Sequence, residues 1–193
     1  TMLRQLLIAT ALFSSVAAFA KTEKVEIDPA ASKVVYTGKK TLVDSKHTGE
    51  VKIKDGFLNF DGNTLKGGEF VIDMTTITNT DLTDAEYNKK FVGHITSADF
   101  FDTAKFGTSK LVIKNAKKEK DNTYNVTGDL TIKGKTAPVN FTALVTKSEA
   151  SANITVDRTK HDVKYGSGSF FKDLGDKVIA DNIEFVVTLK AKK

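Results

Sequence analysis

The sequence holds no cysteine and no tryptophan, and only two prolines, two arginines and three histidines in 193 residues. Without cysteine there is no disulfide framework and no acylated cysteine to anchor a lipoprotein, so stability has to come from packing. Scarce arginine also weakens a nucleic-acid reading. The sequence pI is about 9.2, but nearly all the positive charge is lysine dispersed among 24 acidic residues, the pattern of a solvated basic surface. No nucleic-acid partner is expected. Long apolar runs are missing too: the stretch LLIATALF near the start is too short, and too interrupted by threonine, to span a bilayer. No stable membrane insertion is expected.

What is present begins with a leader. Arg4, the apolar run after it and Ala18-Phe19-Ala20 match the basic, apolar and small-x-small parts of a signal peptide. Residues 1–20 are therefore expected to be removed after Ala20, placing the product in the periplasm or outside the cell. Residues 21–193 are expected to form a single domain, long enough to bury a real core.

Most of that domain is written in strands. Val51 and Ile53 alternate with Lys52 and Lys54, and Phe70, Ile72 and Met74 share one side of the next apolar run. Asp55-Gly56 reads as a hairpin turn, Asp28-Pro29 and Asp61-Gly62-Asn63 as further turns. Beyond residue 107 come five more alternating segments, separated by turns such as Asp121-Asn122 and Lys133-Gly134-Lys135. An antiparallel meander of about eight strands can remove its exposed edges by closing, so the expected fold is mainly β, an antiparallel eight-stranded barrel with an apolar interior. Whether that interior is filled or hollow stays open at this point.

One segment breaks the alternation. Thr83 and Glu86 are spaced as a capping box, Leu82 and Tyr87 as a hydrophobic staple, and Gly93 stands where a helix would stop. A short helix insert over about residues 84–92 is expected, with Tyr87 and Phe91 on one face. Phe100-Phe101 follows in an irregular stretch whose rings need cover.

Chemistry is sparse. His47, His94 and His161 lie at no spacing that suits a metal, and no catalytic Ser frame accompanies them. No catalytic residue, no metal site and no cofactor is assigned. The three Asn-x-Thr sequons, at Asn125, Asn140 and Asn153, fall in strand-like segments and carry no argument.

Five stretches in order carry a family resemblance: HTGEVKIKDG from His47, GGEFVIDMTTI from Gly67, GHITSADFFD from Gly93, GDLTIKG from Gly128, and YGSGSFFKDLGDKVIADNIEF from Tyr165. Together they resemble the YceI-like family of secreted, lipocalin-like proteins described as polyisoprenoid-binding. One departure is Phe106-Gly107, where the family usually has an aromatic-Pro step.

The resemblance implies an extended barrel around an apolar tunnel for a polyisoprenoid or other long-chain lipid. The candidate lining is Phe70, Ile72, Met74, Leu130, Ile132, Phe141, Val145, Ile154, Val156, Phe185 and Val187, with Phe91, Phe100 and Phe101 near the entrance. Lys39, Lys133 and Lys135 are candidates for a head group. The alternatives are a hydrolase or transferase using His47 or His94, and a non-catalytic envelope module whose barrel is filled by these same side chains. A homodimer is compatible with either.

Overall fold

In the computed structural model, which describes residues 22–193, nearly every strand buries alternate residues. The leader expected over residues 1–20 lies outside the described residues. The strands are β1 (Thr22–Glu26), β2 (Lys33–Lys39), β3 (Lys46–Asp61), β4 (Thr64–Asp73), β5 (Thr108–Lys118), β6 (Thr123–Ile132), β7 (Lys135–Val145), β8 (Glu149–Asp157) and β9 (Asn182–Lys190). Their hydrogen-bonded order is β1-β3-β2-β9-β8-β7-β6-β5-β4, and a further β3–β4 ladder closes the ring. All ladders are antiparallel. Eight strands, β2 to β9, form the expected barrel.

The ninth strand sits outside the ring because β3 is 16 residues long. Its first part pairs with β2 from Lys46 to Val51, and its last part pairs with β1 from Phe57 to Asp61. The other edge of β3 runs along β4. This overturns the hairpin expected at Asp55-Gly56: the strand passes straight through, with a register shift between Ile53 and Asp55. Gly56 stands opposite Phe70, and a Cβ there would come within 2.5 Å of the Phe70 ring. The glycine makes room for an aromatic neighbour rather than for a turn.

Other turns fall where expected. Asp28 Oδ1 accepts from the N–H groups of Ala30 and Ala31 at 2.9 and 3.3 Å, a side chain mimicking a backbone turn. Lys133 and Gly134 both have positive φ, 50° and 70°, as a tight two-residue hairpin requires.

The helix α1 (Ala85–Thr96) is displaced and longer than expected. Its cap is Asp84, not Thr83: Asp84 Oδ1 accepts from the N–H groups of Glu86 and Tyr87, each at 2.9 Å. A carboxylate satisfies two orphan donors there and also faces the positive end of the helix dipole. Gly93 remains helical on the solvent side, and the helix ends at Ser97, whose N–H and Oγ both donate to the His94 carbonyl. Phe91 and Ile95, one turn apart, face the barrel. Tyr87 does not join them; it is 66% exposed.

Strand order separates two ends. At one end short turns join β3 to β4, β5 to β6 and β7 to β8, and Phe60, Leu65 and Tyr124 are almost completely buried. The Tyr124 hydroxyl accepts from Leu65 N–H and donates to the Asn63 carbonyl, each at 3.3 Å, so even its polar tip is used. At the other end lie the long connections: residues 40–45, the segment 74–107 that contains α1, and residues 158–181.

The segment after β4 continues along β3, with the N–H groups of Thr78 and Thr80 donating to the carbonyls of Glu50 and Thr48. Gly49 lies beneath it, where an added Cβ would sit 1.9 Å from the Thr78 carbonyl oxygen and 2.4 Å from the Tyr36 hydroxyl. Backbone cannot yield cheaply here. Gly49→Ala is expected to destabilise the protein by about 2 kcal/mol or more through overpacking, read as a lowered urea midpoint; an unchanged midpoint would contradict the close approach.

Candidate ligand-binding site

Inward residues of the ring do not fill it. They leave a cavity of about 380 Å³ that runs from α1 and the long connections toward the end of the short turns, where Leu65, Val145 and Leu189 line it. All fourteen residues expected as lining stand on its wall: Phe70, Ile72 and Met74 from β4 and the turn after it; Leu130 and Ile132 from β6; Phe141 and Val145 from β7; Ile154 and Val156 from β8; Phe185 and Val187 from β9; and Phe91, Phe100 and Phe101 from α1 and the loop behind it. Phe100 and Phe101 pack edge to face at 5.0 Å, a favoured aromatic geometry.

The three head-group candidates separate. Lys39 lies on the wall, with its ammonium 2.7 Å from Glu184 Oε1. Lys133 and Lys135 lie on the β6–β7 hairpin and contribute nothing to the lining. Lys133 Nζ instead donates to the carbonyls of Ala98 and Asp162, at 3.2 and 3.4 Å, fastening two long connections together. The Lys135 carbonyl is 2.8 Å from His161 Nδ1.

Sequence reasoning missed Tyr36, Lys40, Ser109 and Arg158 on the wall, and weighed His47 and His94, which also line it, only as catalytic candidates. Arg158 is the only arginine beyond Arg4, and that rarity was its one available signal. Its side chain is 1% exposed. Nε donates to Ala180 O at 3.0 Å, Nη1 to Val163 O at 2.7 Å and Nη2 to Ile179 O at 3.1 Å, while Asp181 Oδ1 lies 3.8 Å away. A buried guanidinium with its donors so occupied serves as a clamp: it ties the turn at residues 158–163 to the lip at 179–181.

His47 is similarly held. Its Nδ1 lies 2.9 Å from Asp81 Oδ2, and its ring packs 4.4 Å from that of Phe91. Asp81 Oδ1 also accepts from Thr48 N–H and the Asn79 amide, each at 2.7 Å. Burial opposes ionisation of Asp81, but its bonds from Thr48, His47 and Asn79 outweigh it and hold the carboxyl below the usual carboxylate range. Tyr36 donates its hydroxyl to the Thr78 carbonyl at 2.7 Å, and burial pushes its phenol well above the ordinary value. Among the described residues, no histidine is hydrogen-bonded to a hydroxyl and no group of three His, Cys, Asp or Glu side chains converges as a metal site. A nucleophile and base pair is therefore not assembled around His47 or His94.

The model of the YceI-like domain matches residues 26–191, almost the whole described barrel. The chain belongs to the YceI-like family. It is 34% identical over 146 residues to a UPF0312 protein of Pseudomonas putida, covering 72% of this chain and 69% of that one. Among solved structures, BcnA of Burkholderia cenocepacia superimposes with a TM-score of 0.61 at 26% identity, covering 86% of this chain and 99% of that one. A polyisoprenoid binding domain from Saccharophagus degradans has the same fold with a TM-score of 0.58 at 13% identity, covering 89% and 100%. In this YceI-like barrel, the strands supply most of the apolar wall, while its polar groups come from strands (Tyr36, His47, Ser109) and connections (Lys40, His94, Arg158) alike.

Two outcomes test this arrangement. Arg158→Met strips three carbonyls of their donor in a buried place, so a loss of roughly 3 kcal/mol or more is expected in denaturant unfolding; a smaller loss than about 1 kcal/mol would mean water replaces the clamp freely. For Asp81, whose folded value is lowered, the stabilising contribution is complete above the unfolded value near 3.8 and disappears as pH falls through the folded one. Asp81→Asn should therefore lower Tm at neutral pH and converge on the parent protein in strong acid, measured by thermal melts across pH.

Proposed function

We propose that this protein binds a long-chain lipid of the polyisoprenoid class in the barrel cavity, and carries or sequesters it in the periplasm or outside the cell without catalysing its conversion. The observation that carries this reading is the cavity itself: a hollow, almost wholly apolar space inside a closed barrel, with apolar wall residues drawn from strands, helix and loop. Each methylene buried there contributes about 0.8 kcal/mol, so a long chain needs few polar contacts to bind tightly.

Family membership supports the reading, as does the shared fold of the domain described as polyisoprenoid-binding. The leader expected before residue 21 supports export, and no described helix is long and apolar enough to cross a membrane. Of the three head-group candidates Lys39 alone stands on the wall, where its ammonium also pairs with Glu184; Lys133 and Lys135 lie off the wall. The filled-barrel alternative loses its ground because the side chains proposed to fill the interior leave it hollow.

Native mass spectrometry of the purified protein tests the proposal. Either an apolar molecule copurifies, or the delipidated protein takes up a polyprenol; an empty protein that takes up none would overturn it. Ala152→Phe adds a ring to the cavity wall where there is space to receive it. Uptake should fall more than about tenfold while the unfolding midpoint holds, since filling a void does not overpack a core.

A further inference from the structure

Among the described residues, eight large apolar side chains are between 40% and 66% exposed, and six of them belong to the long connections: Leu42, Val43, Tyr87, Tyr165, Phe170 and Phe171. The other two, Leu144 and Val186, stand on strands. Scattered apolar residues on a surface need no explanation, but a cluster at one end of a barrel does. Five of the six are tied into one shelf. Thr41 N–H donates to the Val178 carbonyl and Ile179 N–H to the Gly166 carbonyl, at 2.9 and 2.8 Å, so the loop with Leu42 and Val43 lies beside the segment with Tyr165. Phe170 and Phe171 fold back on that segment, their N–H groups donating to the Ser167 carbonyl at 3.2 and 3.0 Å.

Cations stand among these apolar groups. Lys40, Lys46, Lys172 and Lys177 have no ion pair among the described residues, against three aspartates, Asp44, Asp173 and Asp176, in the same two connections. Lys164 Nζ lies 4.9 Å from the centre of the Phe170 ring. This composition discriminates between partners. Lysine is depleted from the cores of protein–protein interfaces, whereas phenylalanine and leucine set among lysines make a surface that lies in the head-group region of a membrane. The shelf is also continuous with the cavity, because Lys40, Ser45, Ile179 and Ala180, from the same two connections, line its wall.

We propose that this shelf docks reversibly on an anionic bilayer, with Leu42, Val43, Phe170 and Phe171 entering the head-group region while the lysines meet lipid phosphates. No segment crosses the membrane. The docked barrel turns its roofed end to the bilayer, so that a lipid passes between membrane and cavity without crossing water. Docking itself stands apart from the lipid-binding reading; only that passage rests on it.

The lack of tryptophan allows a direct test. Phe171→Trp places a single indole on the shelf and Leu144→Trp places one on the outer wall, and the emission of each is read as vesicles of equimolar phosphatidylglycerol and phosphatidylcholine are added. The shelf indole should shift to the blue and the wall indole should not. In flotation, the parent protein should prefer these vesicles to pure phosphatidylcholine by about fivefold or more, the scale of one uncompensated lysine near an anionic surface. The Phe170→Ser, Phe171→Ser double variant should bind them about tenfold or more weakly, with an unfolding midpoint close to the parent's because both rings stand half in solvent. Polyprenol offered in detergent should still enter that variant, with uptake slowed only from vesicles. No flotation, equal shifts at the two indoles, or flotation that the serines leave unchanged would overturn the inference. So would a dimer in sedimentation that the serines dissociate, which would assign the shelf to a second copy of the chain. Vesicle binding without any polyprenol uptake would instead overturn the lipid-binding reading and leave docking standing.

Discussion

Everything in this protein depends on β3 serving three neighbours at once. A strand has two edges, and an antiparallel meander leaves two of them open. Here β3 gives one edge to β4 along most of its length and divides the other between β2 and β1. That division requires 16 residues, with a bulge near Asp55 to absorb the curvature of a small ring. Gly49 and Gly56 lie on this strand where the Thr78 carbonyl and the Phe70 ring come closest. The closed edge and the missing Cβ atoms are thus parts of one constraint.

Closure then decides where space is left. Short turns at one end bring large side chains together, and Phe60, Leu65 and Tyr124 fill the cross-section with the tyrosine hydroxyl fully used. At the other end the ring is roofed by α1 and the long connections rather than plugged by strand residues. The cavity lies between, walled by residues from all eight ring strands and from the connections. Strand residues facing one another across the barrel are mostly apolar, and the connections, which must satisfy their own backbone, bring polar side chains such as Arg158 to do so.

The clamp residues follow from this need. Irregular backbone near a cavity leaves carbonyls without ladder partners, and Arg158 takes up three of them with one planar group. Lys133 does the same for two carbonyls from the loops at Ala98 and Asp162. His47 and Asp81 fasten the start of β3 to the segment that leads into α1. These charged residues resemble a head-group site or a catalytic pair when read singly. In place, their hydrogen bonds hold the roof.

Alternation along each strand, turn chemistry at Asp28, Asp61 and Lys133, and the family motifs determined the barrel and every apolar residue assigned to its wall. Those properties are local: a period of two puts a side chain inside or outside whatever the ring's final shape. Four things were decided only by tertiary structure. Asp55-Gly56 became a bulge because Phe70 lies across from it, a contact between residues far apart in the chain. Asp84 displaced Thr83 as the helix cap, and Gly93 did not end the helix because it faces water and no left-handed residue was needed. Tyr87 was left exposed at the overhanging first turn. Finally, Lys133 turned to loop carbonyls while His94 Nε2 and Ser109 Oγ were left without a hydrogen-bond partner among the described residues, since the partner of a polar atom depends on distance in space, which one strand's pattern does not encode. The opening of a cavity rather than a filled core has the same cause. It depends on side chains that eight strands and the connections bring together around one space, which no single strand's pattern encodes.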